Sequence, residues 1–229
     1  LEKHQARTAY LFITPTVLLF TVFTVIPVVM ALYLSFTNYD VLSRNDWIGF
    51  DNYRRLIEDR LLWKTFRNVF LYSIIFVPFN ILISLLLGIL LSRSWRGVKL
   101  FRTLNYLPTL TSAVAAATVW IWLLHPEFGL VNGLLSYVGI TGPAWLSETR
   151  TAMLSIIMLT LWQSVGSNMI IYLAGLQGVP DYLYESARLD GANKLACFRF
   201  ITWPQLRPTT FLVSTMSIIG ALQLFDQAF

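Results

Sequence analysis

Thr160, Gln163, Ser164 and Ser167 stand at i, i+3, i+4 and i+7 inside a 30-residue stretch, Thr151–Pro180, that contains no Asp, Glu, Lys or Arg. That spacing places them on one face of a helix. Hydroxyls and carboxamides both donate and accept hydrogen bonds, so the chemistry they offer is recognition of a neutral, polar solute. A glutamine in so apolar a helix is costly unless it faces protein or a water-filled cavity. A second set, Thr210, Ser214 and Ser217, repeats the pattern at i, i+4 and i+7, with Gln223 further along. The competing reading is that these serines and threonines are small residues for close helix packing. No catalytic constellation accompanies them, so the expectation is a chain that is not an enzyme. His4 and His125 form no ligand motif, and the single Cys197 excludes an internal disulfide or a multi-cysteine metal site.

The elements that carry these faces follow from composition. The 229 residues are 56% hydrophobic and 13% charged, about half the charge of an ordinary soluble domain. The charges are also clustered. Residues 8–39, 68–92, 103–126, 151–180 and 208–225 are all free of charged side chains. A helix needs about 20 apolar residues to cross a bilayer, so each gap holds one span, the last only just. Backbone groups in lipid must be satisfied within their own segment, which favours helices. A β-barrel would instead show short alternating strands. The fold class expected is all-α: a polytopic helical membrane protein with spans near 8–36, 68–91, 103–124, 152–174 and 209–225, forming a single domain over 1–229. The first span is too long for a signal peptide and is read as retained. Asp226 is read as a residue at the membrane edge.

Between the spans lie an aromatic-rich loop (37–67), the acid-free loop Ser92–Arg102, a glycine-rich loop (125–150) and a charged segment (175–208). Ten basic residues fall on the side of the N-terminus, Ser92–Arg102 and 175–208, against seven on the other. The positive-inside rule therefore predicts a cytoplasmic N-terminus and a cytoplasmic 175–208 segment. The net charge of +5 is accounted for by lipid headgroups at the membrane edges rather than by nucleic acid.

The 175–208 segment is longer than a simple connection requires. Pro180 suits the first turn of a helix, and Asp181 and Glu185 favour its positive end. Leu183, Tyr184 and Ala187 lie along one stripe. Gly191 is placed to end the helix in a left-handed conformation. Leu195, Phe198 and Ile201 then mark a second short helix, with Pro204 expected to stop it. The local expectation is a helix–turn–helix along the membrane surface. An amphipathic interfacial helix without a partner is the alternative.

Here the chain resembles a known family. Glu185-Ser186-Ala187, Asp190-Gly191-Ala192, Phe198, Ile201, Pro204 and Pro208 are similar to the EAA loop of binding-protein-dependent ABC importer permeases. The Asp-Gly-Ala variant resembles the carbohydrate (maltose and glycerol-3-phosphate) branch. Trp47-Ile48-Gly49-Phe50-Asp51-Asn52-Tyr53, Asn105-Tyr106-Leu107-Pro108 and Gly175-Leu176-Gln177-Gly178-Val179-Pro180 extend the resemblance over nearly the whole chain. Ser186 replaces the usual alanine, a small-for-small change. The resemblance implies a type I ABC importer permease fold, with five of the family's six helices readable here and the sixth absent from this chain.

The resemblance also implies a function and partners. A coupling helix over 181–196 would dock on an ATPase subunit, through Glu185, Ser186, Ala187, Asp190, Gly191, Ala192, Leu195 and Pro204. Thr160, Gln163, Ser164, Ser167 and Ser217 would contact a sugar, with Trp162 and Tyr172 available to stack on its rings. The implied partners are a second permease subunit, two ATPase subunits, an extracytoplasmic sugar-binding protein and the bilayer, in the cytoplasmic membrane of a prokaryote. No cofactor is implied in this chain; ATP and Mg would sit on the ATPase subunits, since there is no phosphate-binding loop here. Other cargo (glycerol phosphate, polyamine or phosphate) is the alternative within the family. A secondary carrier is disfavoured because the first four spans lack ionisable acids and bases.

Overall fold

The computed structural model describes residues 2–39 and 46–223. The chain divides into two compact units, Leu1–Phe66 and Arg67–Phe229.

In the first unit, α1 (Glu2–Phe20) runs through a π turn, Thr21–Val25, into α2 (Ile26–Leu34). Arg7–Leu34 has a mean hydropathy of 2.5 and none of that apolar window is buried, as expected of a helix whose solvent is lipid. The π turn sits two residues before Pro27, and Ile26 N–H reaches back five residues to Thr21 O. Proline cannot take the α-type bond and its ring clashes with the carbonyl four residues back; the wider turn relieves both. The aromatic loop is folded rather than irregular. β1 (Thr37–Asn38) pairs antiparallel with β2 (Asp46–Trp47), and α3 (Asp51–Glu58) follows. Phe36 stacks on Trp47 at 5.5 Å and meets Phe50 edge-on at 5.3 Å. Asn52 Nδ2 donates to the carbonyls of Ser35 and Thr37, both at 2.9 Å.

α4 (Arg60–Ser92) begins eight residues before the expected Asn68. A charge-free gap bounds the apolar part of a helix, and Arg60, Lys64 and Arg67 lie on a turn-by-turn extension that water can solvate. α8 (Thr149–Gln177) begins two residues before its charge-free gap in the same way.

The third span is not the single helix expected over 103–124. α5 (Val98–Tyr106) passes into a 3-10 turn, Leu107–Leu110, and restarts as α6 (Ala113–Leu123) after a bend of 105°. Pro108 fits the start of the tight turn, Thr111 goes extended, and Ser112 Oγ accepts Ala115 N–H to cap the new helix. Such a break at membrane depth is tolerated where protein covers it. The glycine-rich loop likewise contains α7 (Leu130–Tyr137). Asn132 ties it down, donating to the Pro126 and Pro143 carbonyls and accepting Trp145 Nε1–H at 2.7 Å.

After α8 come α9 (Asp181–Leu189), α10 (Lys194–Cys197), a π turn at Phe198–Thr202, α11 (Trp203–Gln205) and α12 (Arg207–Leu222). Pro204 does not stop the second short helix. It lies two residues after a π turn, as Pro27 does, and Trp203 N–H bonds back to Phe198 O; the chain turns only at Leu206. The expected end of the fifth span at 225, and Asp226, lie outside the described residues. α12 has 16 described residues, against 33 in α4 and 29 in α8. Among the described residues three helical runs, plus the bent α5–α6 pair, are long and apolar enough to cross a bilayer.

The core of the second unit is α4 against α8, with α12 closing it. Tyr72, Phe76, Ile157 and Ala221 form one cluster, and Leu85, Tyr172, Leu206 and Val213 another.

Candidate functional site

α4, the α5–α6 break, α8 and α12 enclose a cavity of about 430 Å³. All five residues expected to meet a solute, Thr160, Gln163, Ser164, Ser167 and Ser217, line it. Among the described residues, no Asp, Glu, Lys, Arg or His lines it.

The five divide by what they touch. Thr160 accepts a hydrogen bond from Tyr72 O–H at 2.9 Å and itself donates to the Ile156 carbonyl at 2.8 Å. Ser217 Oγ accepts from Asn80 Nδ2 at 2.9 Å. Ser164 Oγ lies 3.3 Å from Asn80 Oδ1 and 2.7 Å from the Thr160 carbonyl it donates to. These three hydroxyls belong to a seam that joins α4, α8 and α12, with Asn80, fully buried, at its centre. Ser167 is satisfied by its own helix, donating to the Ser164 carbonyl at 2.9 Å. Gln163 is half-buried, and its carboxamide has no hydrogen-bond partner among the described residues. The same holds for the carboxamide of Asn168, which is only 8% exposed and lines the cavity. Buried amides almost always find partners, so Gln163 and Asn168 are the groups left to meet a solute or water.

Sequence reasoning missed Tyr72, Asn80, Thr109, Thr111 and Asn168. Asn168 stands at i+8 from Thr160 and extends the same stripe. Asn80, a lone amide with Ser84 four residues on, was legible as a costly polar pair in an apolar run. Thr109 and Thr111 reach the cavity only because the third span breaks, and Thr109 Oγ1 holds the break against α8 by donating to the Gln163 carbonyl at 2.9 Å. Trp162 packs edge-on against Trp120 with centroids 6.1 Å apart and does not line the cavity. Tyr172 is fully buried in the α4–α12 core and has no free ring face for a sugar.

The seam has a testable weight. Asn80→Ala should lower stability by about 1 kcal/mol, since Ser217 loses its partner while Ser164 keeps a backbone one. Thermal unfolding of the reconstituted protein checks this, and an unchanged midpoint would remove Asn80 from the seam.

α8 runs without interruption from the cavity toward the charged segment. From Asn168 to Gln177 is nine residues, about 14 Å of helix. Gly178–Pro180 then leads into α9. On α9, Leu183, Tyr184 and Ala187 are half-buried, and Tyr184 O–H shares a 2.9 Å hydrogen bond with Thr202 Oγ1. The opposite face carries Tyr182, Glu185, Ser186 and Leu189 at i, i+3, i+4 and i+7, all exposed, Leu189 at 90%. Across the turn, Asp190, Gly191 and Leu195 are exposed too. The structure therefore gathers Glu185, Ser186, Asp190, Gly191 and Leu195 on one outward surface and adds Tyr182 and Leu189, which the sequence reading passed over. Leu189 is out of phase with the apolar stripe, and that phase error was its signal.

Ala187 and Ala192 have a different place. Ala192 N–H bonds to Ala187 O at 2.9 Å and Gly191 N–H to Arg188 O at 3.1 Å, with Gly191 at φ +79°. This pair of bonds is a Schellman closure, which ends α9 and sets the angle of the next helix. The expected helix over 181–196 is thus two pieces joined at this turn. Pro204 is half-buried in the run leading to α12, apart from the outward face.

Residues 80–228 match the family described as binding-protein-dependent transport system inner membrane component. The chain is 36% identical over 223 residues to the Bacillus subtilis protein named probable ABC transporter permease protein YesP, covering 96% of this chain and 72% of that one. It is 33% identical to the lactose transport system permease protein LacF of Rhizobium radiobacter, over 100% of this chain and 77% of LacF. A solved bacterial ABC transporter involved in the import of the acidic polysaccharide alginate superposes with a TM-score of 0.86 at 25% identity, covering 97% of this chain and 76% of that one. The matched span holds the whole α9–α10 surface and all of the cavity lining except Tyr72 and Phe76, and on this ground the chain belongs to the family of binding-protein-dependent transport system inner membrane components.

Proposed function

We propose that this chain forms part of an inward path for a neutral sugar or oligosaccharide, powered by ATP hydrolysis on separate subunits that dock on the outward face of α9 and α10. The observation that carries the reading is the pairing of a neutral, amide-bearing cavity with a docking face on α9 and α10, the two joined by the one continuous helix α8. α8 lines the first with Gln163 and Asn168 and leads straight into the second. A rigid helix about 14 Å long converts a push at α9 into a displacement at the cavity, so two states of the path would be biased from the docking side. In this reading Gln163 and Asn168 hydrogen-bond the cargo, while Thr160, Ser164 and Ser217 hold the wall. A second, similar permease would complete the path, and an extracytoplasmic binding protein would deliver the cargo. The N-terminus and α9 would face the cytoplasm.

Sugar cargo is supported by LacF, whose name states lactose transport. The alginate importer moves an acidic polysaccharide. Among the described residues the lining has no cation to pair with a carboxylate, which favours a neutral cargo. Gln163→Leu in the assembled transporter should cut uptake of the cognate sugar about tenfold, the net worth of one lost hydrogen bond. Uptake of radiolabelled sugar into vesicles measures it; an unchanged rate and affinity would take Gln163 out of the site. The sugar itself is found by asking which neutral oligosaccharide, with its binding protein, raises ATP hydrolysis. Stimulation by acidic oligosaccharides alone would overturn the neutral-cargo reading.

A further inference from the structure

A second cavity, of about 930 Å³, lies where α4 and α8 end and α9 and α10 fold back beneath them. Its lining combines Ile89, Leu173 and Leu176 with Arg93, Arg188 and Lys194, and Asp181 is the one acid there among the described residues. The three cations are exposed, and none forms an ion pair among the described residues, where Arg54–Glu58 is the one ion pair found. Nor does Arg93 serve to neutralise the end of α4. Arg102 does that, donating from Nε and Nη2 to the Leu91 carbonyl at 3.1 and 2.6 Å. Three cations around an amphiphilic hollow at the end of two spans have no task within the chain.

We propose that this cavity holds an anionic phospholipid, its phosphate among Arg93, Arg188 and Lys194 and its acyl chains along Ile89 and Leu173. Two observations select a lipid over a soluble anion. The apolar wall is continuous with the spans, and Arg93 directly follows the last residue of the α4 span. A basic pocket between membrane helices at the headgroup level is the electrostatic and apolar complement of such a lipid. Because α9 forms one wall, the bound lipid would brace the docking element against the helix ends. The proposal rests on the orientation given above only for which leaflet supplies the lipid.

The test uses the complete transporter in nanodiscs of phosphatidylcholine doped with phosphatidylglycerol, with retained lipid read by native mass spectrometry. Wild type should retain phosphatidylglycerol preferentially, and Arg93→Gln with Lys194→Gln should reduce that preference by about fivefold per removed charge. Arg199→Gln is the control. Arg199 lies over the Phe200 ring at 5.6 Å, away from the cavity lining, and its loss should leave retention unchanged. Equal retention by wild type and the double variant would overturn the proposal, as would an equal loss in the Arg199 control. Inorganic phosphate added to phosphatidylcholine nanodiscs should not raise the melting temperature; a rise matching that from phosphatidylglycerol would assign the site to a soluble anion and overturn it too. Orientation is read separately, by labelling Arg96→Cys in a Cys197→Ser background with an impermeant maleimide. Labelling from the extracytoplasmic side would reverse the topology and leave the lipid result standing.

Discussion

Gly166→Leu is expected to abolish transport and to destabilise the second unit by about 3 kcal/mol or more, at the upper end of what overpacking costs. Gly166 lies on α8 where the α5–α6 break crosses it. A side chain there would run into the carbonyl oxygen of Asn105 and come within 2.9 Å of Tyr106 Cα. Both obstacles are backbone, so no rotamer change relieves them. The break would have to lift off α8, and with it Thr109, whose hydroxyl bonds the Gln163 carbonyl. Two effects then add: the cavity loses one wall, and the 3-10 turn loses the protein cover that lets non-helical backbone exist at membrane depth. Thermal unfolding and sugar uptake by the reconstituted transporter measure the two parts. A Gly166→Leu protein that melted with wild type and transported normally would mean that the break does not rest on α8.

Gly191→Pro should uncouple the transporter while sparing the cavity. At φ +79° proline is excluded, because its ring holds φ near −65°. Proline also removes the N–H that Gly191 donates to Arg188 O, so the closure loses one of its two bonds and α10 leaves α9 at a different angle. Substrate-stimulated ATP hydrolysis should fall at least tenfold in the assembled transporter, with the cavity residues untouched. Gly191→Ala is the graded companion. No atom lies within 4 Å of the added methyl, so its cost is the left-handed backbone alone, about 1–2 kcal/mol, and partial coupling should survive. Proline and alanine behaving alike, both near wild type, would show that the angle between α9 and α10 is not what carries motion.

Much of this architecture was legible before any tertiary contact was known. Charge-free gaps locate apolar helix segments because lipid tolerates no unpaired charge, and that constraint is local to the chain. The stripe Thr160–Gln163–Ser164–Ser167 was legible because α8 is regular and its face follows from 3.6-residue periodicity. The turn at Gly191 was legible because a left-handed residue after a helix is a local steric matter. The helix starts at Arg60 and Thr149 were not, since a helix that leaves the membrane continues into water without any change in backbone chemistry.

What the sequence determined by itself is therefore the apolar segments of α1–α2, α4 and α8, the neutral face on α8 and a two-piece helical segment at α9 and α10, each of them encoded within a few turns of chain. Only the tertiary structure decided which hydroxyls on that face are consumed by Tyr72 and Asn80, residues 88 and 84 positions away from Thr160 and Ser164, and that the carboxamides of Gln163 and Asn168 find no partner among the described residues. It also decided that the third span breaks at Leu107–Leu110, because the end of α5 that leads into the 3-10 turn lays its Asn105–Tyr106 backbone on the bare backbone of Gly166. The physical reason is the same in both cases. Hydropathy and periodicity report on a segment and its solvent, whereas the satisfaction of a buried polar group depends on a partner that folding alone brings within about 3 Å.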